Sequence, residues 1–331
     1  MTAGGSSLFV RAALRTLVVF AGLAAGPMPA HAVWPEKPVR MIVSQAPGTS
    51  VDIAARLLAA ELGRGWRQSV VVDNRSGGQN VIGAQTAARA APDGYTFFFA
   101  TSAALITNPY LIKALPYHWQ TDFIPVALVG LTVMVIVVNP LVPAKTIPEL
   151  IALDKADPGR LALANDGPKA ATGMISRMFQ LTAGTRFLEV QYNGSPKAIQ
   201  DTIAGNTQVM VVSTAAVSPH LARGELRALA VSSARRVSGL ETIPTLSETF
   251  PGFEYNGWYA VVAPAETPAD IVDRVNRDIN RALTASAAGK RLKELGLVFD
   301  DAGTPESTAA FFAAEDARWG RLIHEIGLEP E

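Results

Sequence analysis

The sequence contains no cysteine. This absence excludes disulfides, thiol nucleophiles, cysteine-ligated metals and a lipid-anchored cysteine behind a processed leader. The chain also lacks a convincing apolar run of the ~20 residues that a membrane-spanning helix needs. The candidate run from Val126 to Val138 is interrupted by Gly130 and Thr132. We therefore expect neither thiol chemistry nor a membrane span.

An excess of either charge is also missing, because 29 Lys and Arg residues balance 29 Asp and Glu residues. Nucleic acids and anionic membrane surfaces are bound through a basic field. We therefore expect no nucleic-acid partner and no membrane-surface partner.

Recognisable catalytic motifs are absent as well. No H-E-x-x-H, G-x-S-x-G or P-loop sequence occurs. His118, His220 and His324 lie far apart and at no metal-ligand spacing. The pair Glu315-Asp316 falls on a predicted helix, where we expect it to face water. We therefore predict no catalytic residue, no metal and no cofactor.

The first 32 residues have the features of a secretory signal peptide. Arg11 and Arg15 supply the basic region, and the segment from Thr16 to Ala25 supplies the apolar core. Ala30-His31-Ala32 is a small-x-small cleavage site. We expect cleavage after Ala32 and export, most simply to a bacterial periplasm, without a lipid anchor.

The rest of the chain alternates short apolar strands with helices, which is typical of α/β layers. The strand candidates are Val39–Val43, Val70–Val72, Thr96–Ala100, Val133–Val138, Leu161–Ala164, Phe187–Val190, Val209–Val212, Ala228–Val231 and Trp258–Ala263. Two of them, Val133–Val138 and Trp258–Ala263, are suited to cross between two lobes. Lobe I would then comprise residues 33–136 and 255–331, and lobe II residues 137–254. Ligands of such hinged sheets sit outside the carboxyl ends of the strands.

Polar turns follow several of the strand candidates. The first, Pro47-Gly48-Thr49-Ser50, precedes a helix, so its backbone N–H groups lie at the positive end of the helix dipole. This geometry suits an anion such as a carboxylate or a phosphate. Similar turns occur at Thr101-Ser102, at 165–169, at Tyr192 and at Ser213. Any one of them could be ordinary turn chemistry, but their shared position after strands predicts a common cleft.

Asp52 has two interpretations. An acid in the first turn of a helix stabilises the helix dipole. A carboxylate beside an anion site would also repel the ligand, unless a water or a ligand amine lay between them. The second interpretation therefore predicts a ligand with a donor group, such as an amino acid or a hydroxy acid.

An ordered series of short motifs runs through the chain after the leader. It includes Trp34-Pro35-Glu36-Lys37-Pro38-Val39-Arg40, Asp52-Ile53-Ala54-Ala55-Arg56, Asp73-Asn74-Arg75, Pro92-Asp93-Gly94-Tyr95-Thr96, Leu115-Pro116-Tyr117 and Val190-Gln191-Tyr192-Asn193-Gly194. This series resembles the extracytoplasmic substrate-binding receptors of tripartite tricarboxylate transporters, often called Bug receptors. The resemblance covers essentially the whole chain after the leader.

The resemblance implies an α/β chain with a two-lobed periplasmic-binding-protein fold (type II-like, a Venus flytrap), in which helices flank a mostly parallel sheet in each lobe. It also implies a monomeric, non-catalytic receptor that captures a small organic carboxylate in the interdomain cleft. The receptor then delivers this ligand to the membrane permease subunits of a tripartite transporter. The ligand-binding residues would be Pro47, Gly48, Thr49, Ser50, Asp52, Thr101, Ser102, Asp166, Gly167, Lys169, Ala170, Tyr192 and Ser213.

The chain also departs from the pattern of these receptors. Ser44-Gln45 replaces a Pro-Phe pair, and Thr49 replaces a glycine. In the second lobe Ala170 stands in place of a serine, Lys169 adds a cation, and Gly173-Met174 stands where a His-Leu pair is usual. These differences predict either an atypical ligand or a degraded site.

Two other functions stay open on the sequence. The same fold could serve as an interaction protein that signals to a membrane sensor. A periplasmic hydrolase or isomerase built around Asp52 or Tyr192 is the third reading.

Overall fold

The computed structural model describes residues 1, 34–192, 194–237 and 239–330. The predicted signal peptide and its cleavage site after Ala32 lie outside these residues. The chain divides into an N-terminal unit, Met1–Glu36, and a compact unit, Lys37–Glu331. All the helices and strands described below belong to the compact unit.

Its strands are β1 Val39–Val43, β2 Val70–Asn74, β3 Thr96–Thr101, β4 Phe123–Thr132, β5 Met134–Val138, β6 Ala162–Asn165, β7 Leu188–Gln191, β8 Val209–Ser213, β9 Arg227–Val231, β10 Gly257–Pro264 and β11 Leu297–Val298. Its helices are α1 Ser50–Trp66, α2 Val81–Ala88, α3 Asn108–Leu111, α4 Trp119–Asp122, α5 Ile147–Ala156, α6 Ala171–Ala183, α7 Ser195–Ala204, α8 Thr214–Ala222, α9 Ala269–Ala285, α10 Ala287–Glu294 and α11 Pro305–Glu325. Single turns of 3₁₀ or π helix occur at Gly78–Asn80, Ala103–Thr107 and Leu246–Glu248.

The strands form two sheets, with the orders β11-β4-β10-β3-β1-β2 and β7-β6-β8-β5-β9. Both sheets are mixed rather than mostly parallel. In the first sheet β10 pairs antiparallel with β3 and β4, and β11 pairs antiparallel with β4. In the second sheet β5 pairs antiparallel with β8 and β9, while the other pairings in both sheets are parallel. The chain passes from the first sheet to the second through Val133 alone and returns between β9 and β10. The predicted two-lobed α/β fold is therefore confirmed, while the residue limits proposed for the lobes stay a prediction.

Two strands, β4 and β11, were not expected from the sequence. Strand β4 contains Pro125 and Gly130, residue types that usually argue against the interior of a strand. Both fit here because the pairing of β4 with β10 shifts register twice along its length. Gly130 also adopts a φ of +156° and packs closely against Phe299. The context of the sheet thus overrides the local preference of these residues.

A chain of buried aromatic rings runs from the second lobe to the first. Its members, with centroids 4.7–6.5 Å apart, are Phe187, Phe179, Phe250, Phe253, Tyr255 and Trp319, followed by Trp258, Phe312 and Trp119. The carboxylate of Glu315 joins the two parts, because its Oε2 accepts hydrogen bonds from the indole nitrogens of Trp258 and Trp319, both at 3.1 Å.

Glu315 is only 2% exposed, so the expectation that the pair Glu315-Asp316 faces water is wrong for Glu315. Helix α11 packs between the two lobes, which leaves this side of it no contact with solvent. Arg318 lies 3.1 Å from the other carboxylate oxygen of Glu315. The neighbouring Asp316 instead accepts a hydrogen bond from the Tyr110 hydroxyl at 3.0 Å.

Ser232 ties together the two segments that cross between the lobes. Its hydroxyl accepts a hydrogen bond from the Met134 N–H and donates one to Asn256 Oδ1, each at 3.0 Å. Its backbone N–H also donates to the Met134 carbonyl, and its own carbonyl accepts from the Tyr255 N–H. The outgoing and returning chains therefore run side by side, and we call this pair of crossing segments the hinge.

Candidate functional site

The hinge places the carboxyl ends of the strands of the two sheets close to each other. Thr132 pairs with Gly257 at the edge of the first sheet, and Met134 pairs with Ser213 at the edge of the second. Because Val133 alone separates Thr132 from Met134, the two edges face one another across the hinge. The turns singled out in the sequence follow strand ends at these edges, where hinged α/β sheets bind their ligands.

The first turn is built as a helix cap. Thr49 is the N-cap of α1, and its Oγ1 accepts a hydrogen bond from the Asp52 N–H and donates one to the Ala46 carbonyl. Gly48 adopts a φ of +83°, which a side chain would disfavour. Within the described residues, the first-turn N–H groups of Ser50 and Val51 have no acceptor. They are the anion-binding donors that a helix N-terminus offers.

Asp52 braces this turn from inside. Its side chain is 2% exposed and accepts hydrogen bonds from the Gly48 N–H, Arg56 Nε and Asn74 Nδ2, at 2.8–3.0 Å. Burial would raise the pKa of Asp52, but these hydrogen bonds outweigh it and hold the pKa below its ordinary value. Both carboxylate oxygens of Asp52 therefore already accept hydrogen bonds from the protein, which does not favour an additional bond to a ligand amine. The Gly48 N–H is likewise used by Asp52 and is not open to a ligand.

We expect Asp52→Asn to lower the free energy of unfolding by about 2–4 kcal/mol, because it removes a buried charge from three hydrogen bonds. The matched control is Asp270→Asn, an exposed acid in the first turn of α9, which loses only the dipole interaction of about 0.3–1 kcal/mol. Urea denaturation at neutral pH measures the free energy of unfolding of both variants.

The stability difference between wild type and Asp52→Asn is expected to shrink as the pH falls through the depressed pKa of Asp52, since the wild-type acid is then protonated. Equal, small losses in the two variants would contradict the bracing role.

Tyr259 joins the first turn to the end of β3. Its hydroxyl lies 3.2 Å from the Ser50 hydroxyl, and its backbone is in register with Thr101. Burial raises the pKa of Tyr259, so the phenol stays protonated and can donate a hydrogen bond. Tyr259 lies on a strand predicted to cross between the lobes, but it was not among the predicted site residues. Its position next to the end of that strand was the only available signal.

Thr101 and Ser102 are less open than the first turn. The Thr101 hydroxyl accepts a hydrogen bond from the Ala104 N–H, and Ser102 is 8% exposed. A Cβ at Gly257 would overlap the Thr132 hydroxyl and would lie 3.7 Å from Ser102 Oγ. Ser102 therefore sits at the hinge, beside the strand pair that leads to the second lobe.

In the second lobe, the turn after β6 is organised by Asn165. Its Oδ1 accepts a hydrogen bond from the Gly167 N–H at 2.8 Å, and its backbone carbonyl accepts one from the Tyr192 N–H at 2.9 Å. The Tyr192 hydroxyl donates to Asp201 on α7, and Ser213 caps α8 by accepting from the Ala216 N–H. Tyr192 and Ser213 thus shape the second lobe through its own helices. Gly167, Lys169 and Ala170 are half-buried beside them.

Two polar atoms of this turn are buried without a partner among the described residues, Asn165 Nδ2 and one carboxylate oxygen of Asp166. Asp166 Oδ2 accepts a hydrogen bond from the Ser195 hydroxyl at 3.3 Å, and its backbone N–H donates to the Thr172 hydroxyl. Its Oδ1 is buried without a partner among the described residues. Burial raises the pKa of Asp166, although hydrogen bonds from Ser195 and Thr172 oppose the rise. A donor that reached Oδ1 would be stabilising, because an unpaired buried acceptor costs about 1–3 kcal/mol.

The structure thus divides the predicted set into two groups. Residues 47–52, with Thr101, connect through Tyr259 in the first lobe, whereas residues 166–170, with Tyr192, connect through Asn165 in the second. No hydrogen bond between the two groups is found in the described part of the chain. In the same part, no cluster of His, Cys, Asp and Glu could hold a metal ion. No helix there is both long and apolar enough to cross a membrane.

Comparison with known proteins identifies the family. The model of the tripartite tricarboxylate transporter family receptor matches residues 54–328. The chain belongs to this receptor family. The resemblance noted in the sequence is therefore confirmed, and the members of the family are periplasmic substrate-binding receptors.

Individual members of the family are similar over nearly their whole length. Protein BugT of Bordetella pertussis is 35% identical over 96% of this chain and 97% of its own. The structure of Rpa4515 of R. palustris with adipate is 30% identical, with a TM-score of 0.78 over 90% of this chain and all of that one. MatC of Rhodopseudomonas palustris with bound malate is 26% identical, with a TM-score of 0.72 over 88% of this chain and all of that one.

Proposed function

We propose that the protein is a periplasmic receptor that captures a small dicarboxylate between its lobes and delivers it to the permease subunits of a tripartite transporter. Family membership supports the receptor role, and the adipate and malate held by two relatives support the ligand class. The observation that carries the proposal is the N-terminus of α1, where the N–H groups of Ser50 and Val51 lack an acceptor among the described residues and the Ser50 and Tyr259 hydroxyls lie 3.2 Å apart. The receptor binds without chemistry of its own, acts as a monomer and reaches the periplasm through its leader.

In the first lobe, one carboxylate of the ligand would sit at the N-terminus of α1. The N–H groups of Ser50 and Val51 and the hydroxyls of Ser50 and Tyr259 would donate to it. Such charge-assisted hydrogen bonds are about twice as strong as neutral ones, and the helix dipole adds to them. Asp52 would act by positioning this turn, while Pro47, Gly48 and Thr49 would shape it.

In the second lobe, Gly167, Lys169 and Ala170 would close over the ligand, with Ser102 and Ser213 nearest to the hinge. Asp166 would select among dicarboxylates, since its Oδ1 lacks a donor. A hydroxyl or an ammonium group on the ligand would satisfy that oxygen. The proposed class is therefore a hydroxy- or amino-substituted dicarboxylate, with malate as the simplest probe.

A thermal-shift titration with malate, succinate and adipate tests this function, with the neutral diamide of malate as the control. A ligand that binds only the folded protein stabilises it by about 2.7 kcal/mol at 100 times its Kd. We expect malate to raise the Tm most and the diamide to leave it unchanged. The absence of stabilisation by any of the three acids at millimolar concentration would sink the proposal.

Two variants locate the ligand. Tyr259→Phe removes one hydroxyl and is expected to weaken malate binding by roughly five- to tenfold. Tyr110→Phe is its control, because that hydroxyl bonds to Asp316 on α11. Asp166→Ala is expected to abolish the preference for malate over succinate. If the preference survives in this variant, Asp166 does not select the ligand.

A further inference from the structure

A cavity of about 1100 Å³ is lined by residues other than those predicted to bind the ligand. The second lobe lines it with residues of α8 and β9 and with residues 140, 145, 237, 239–240 and 242–244, and the first lobe lines it with residues 293–294 and 296–300. We name it the rear groove. None of the thirteen predicted ligand-binding residues lines it, and its volume exceeds the ~300–1,000 Å³ of ordinary ligand sites.

The two lobes meet at one end of the rear groove. Gly296 adopts a φ of +84° and packs on the start of α8, where a Cβ at this position would lie 2.8 Å from the Cβ of Ala215. This close approach needs glycine for both its space and its φ. The groove is therefore a junction between the lobes, with walls contributed by each.

The floor of the rear groove is apolar. Leu226, Leu240 and Ile243 line it from the second lobe, and Val298 and Phe299 line it from the first. Leu240, Ile243 and Val298 are half-buried, so part of their apolar surface still meets solvent. An apolar body that covered this surface would gain about 25 cal/mol per Å² removed from water.

Arg227 places a positive charge in this apolar setting. Its Nη1 donates to the carbonyls of Val142 and Ala144, both at 3.1 Å, and its Nη2 donates to the carbonyl of Pro140 at 3.2 Å. A guanidinium has five N–H donors, so Nε–H and one Nη2–H are left. Among the described residues, Arg227 forms no ion pair with a carboxylate. Arginine binds a carboxylate in bidentate fashion through two N–H donors, and two donors of Arg227 have no acceptor among the described residues.

Other charges around the rear groove are mixed but favour an anion. Lys145 and Lys293 line it together with two acids, Glu294 and Asp300. Glu294 is already paired with Arg291, with a nitrogen–oxygen distance of 2.8 Å. The cations of the groove are Arg227, Lys145 and Lys293. Because Arg291 neutralises Glu294, only Asp300 offsets them, and the groove has an excess of positive charge.

We propose that the rear groove is a second binding site, for an amphipathic organic anion that carries one carboxylate or sulfonate on an aromatic or aliphatic body. The acid group binds Arg227, and the apolar body lies along Leu240, Ile243 and Val298. This site is independent of the carboxylate cleft and does not rest on the function proposed for it.

Titration with 1-anilinonaphthalene-8-sulfonate, followed by fluorescence, tests the site on the whole exported protein. We expect saturable binding of one probe molecule, displaced by 4-phenylbutyrate and not by its neutral amide. Leu240→Glu adds a negative charge to the groove and Arg227→Gln removes a positive one, so each is expected to weaken probe binding at least tenfold. Lys293→Glu reverses a charge at the groove and is expected to weaken probe binding about threefold to tenfold. Lys290→Glu, on the same helix as Lys293 but outside the groove, is expected to stay within twofold of wild type.

The Tm of each variant shows whether it is folded. Arg227→Gln also loosens the turn at residues 140–144, so Leu240→Glu and Lys293→Glu keep the test decisive if that variant unfolds. Unchanged probe affinity in folded Leu240→Glu and Lys293→Glu would overturn the proposal. So would equal displacement by 4-phenylbutyrate and its amide, since the site would then not recognise an anion.

Discussion

Replacing Glu315 by alanine is expected to lower the free energy of unfolding by about 3–5 kcal/mol, because it leaves two buried indole N–H groups without an acceptor. Those groups belong to Trp258 on β10 and Trp319 on α11, both about 1% exposed or less. The side chain also fills space within the aromatic chain that joins the lobes. Its removal therefore adds a cavity to the lost hydrogen bonds.

Glu315→Gln is the informative partner of this variant. A glutamine keeps an oxygen for the indole donors and nearly the same volume, so we expect a loss of within about 1.5 kcal/mol. Burial raises the pKa of Glu315 despite the opposing effect of Arg318. The native state thus holds its proton more tightly than the unfolded chain, and lowering the pH toward the ordinary pKa favours wild type over Glu315→Gln.

Urea denaturation of the two variants, with Glu325→Ala as the exposed control on the same helix, measures these differences. A loss of under 1 kcal/mol in Glu315→Ala would show that water replaces the carboxylate without cost. Glu315→Ala is also expected to raise the rate of amide hydrogen exchange around Trp258 and Trp319, because their indole N–H groups lose the carboxylate that holds them.

The second large effect is expected at Gly173, in the first turns of α6. A Cβ at this position would overlap the backbone carbonyl of Gly167. Alanine at 173 therefore has to displace the turn 166–170, which we propose to close over the ligand. We expect Gly173→Ala to weaken binding of the best acid of the thermal screen at least tenfold, and to cost about 1–3 kcal/mol of stability.

Gly173→His makes the test sharper. The resemblance noted in the sequence implies a histidine where this chain has Gly173, so the resemblance alone would predict an improvement. The packing predicts the opposite, because the larger side chain requires a larger displacement of Gly167. Isothermal titration calorimetry measures both variants, with Gly65→Ala as the control.

Gly65 lies in α1 with no atom within 4 Å of the added methyl group. Its replacement is expected to stabilise the helix by about 0.5–1 kcal/mol and to leave binding unchanged. Wild-type affinity in Gly173→Ala would show that the turn 166–170 does not contribute to the site.

The order of helices and strands could be predicted from the sequence because it depends on local periodicity. Strand β1 has the predicted limits, and a helix follows the turn at residues 47–50 as predicted. The family could be predicted too, since its motifs are contiguous. Strand β4 escaped prediction because Pro125 and Gly130 disfavour a strand locally, and only the partner strand makes them acceptable.

The roles of the charged residues could not be predicted, because their partners lie far away in the chain. The sequence allowed Asp52 to interact with either the helix dipole or a ligand amine. The donors that actually bond to it include Asn74, which lies on β2. Glu315 looked like a solvated residue until α11 was placed against Trp258 on β10.

The sequence by itself determined the α/β class, the two-lobed organisation and the position of the predicted binding turns after strand ends. Periodicity, capping residues and contiguous motifs are local, and local patterns carry this information. Only the tertiary structure decided that Asp52 braces its turn, that Tyr259 joins Ser50 at the end of β3, and that Arg227, Lys145 and Lys293 line one groove between the lobes. Each of these depends on which distant residues come within hydrogen-bond reach, and the packing of the two lobes settles that.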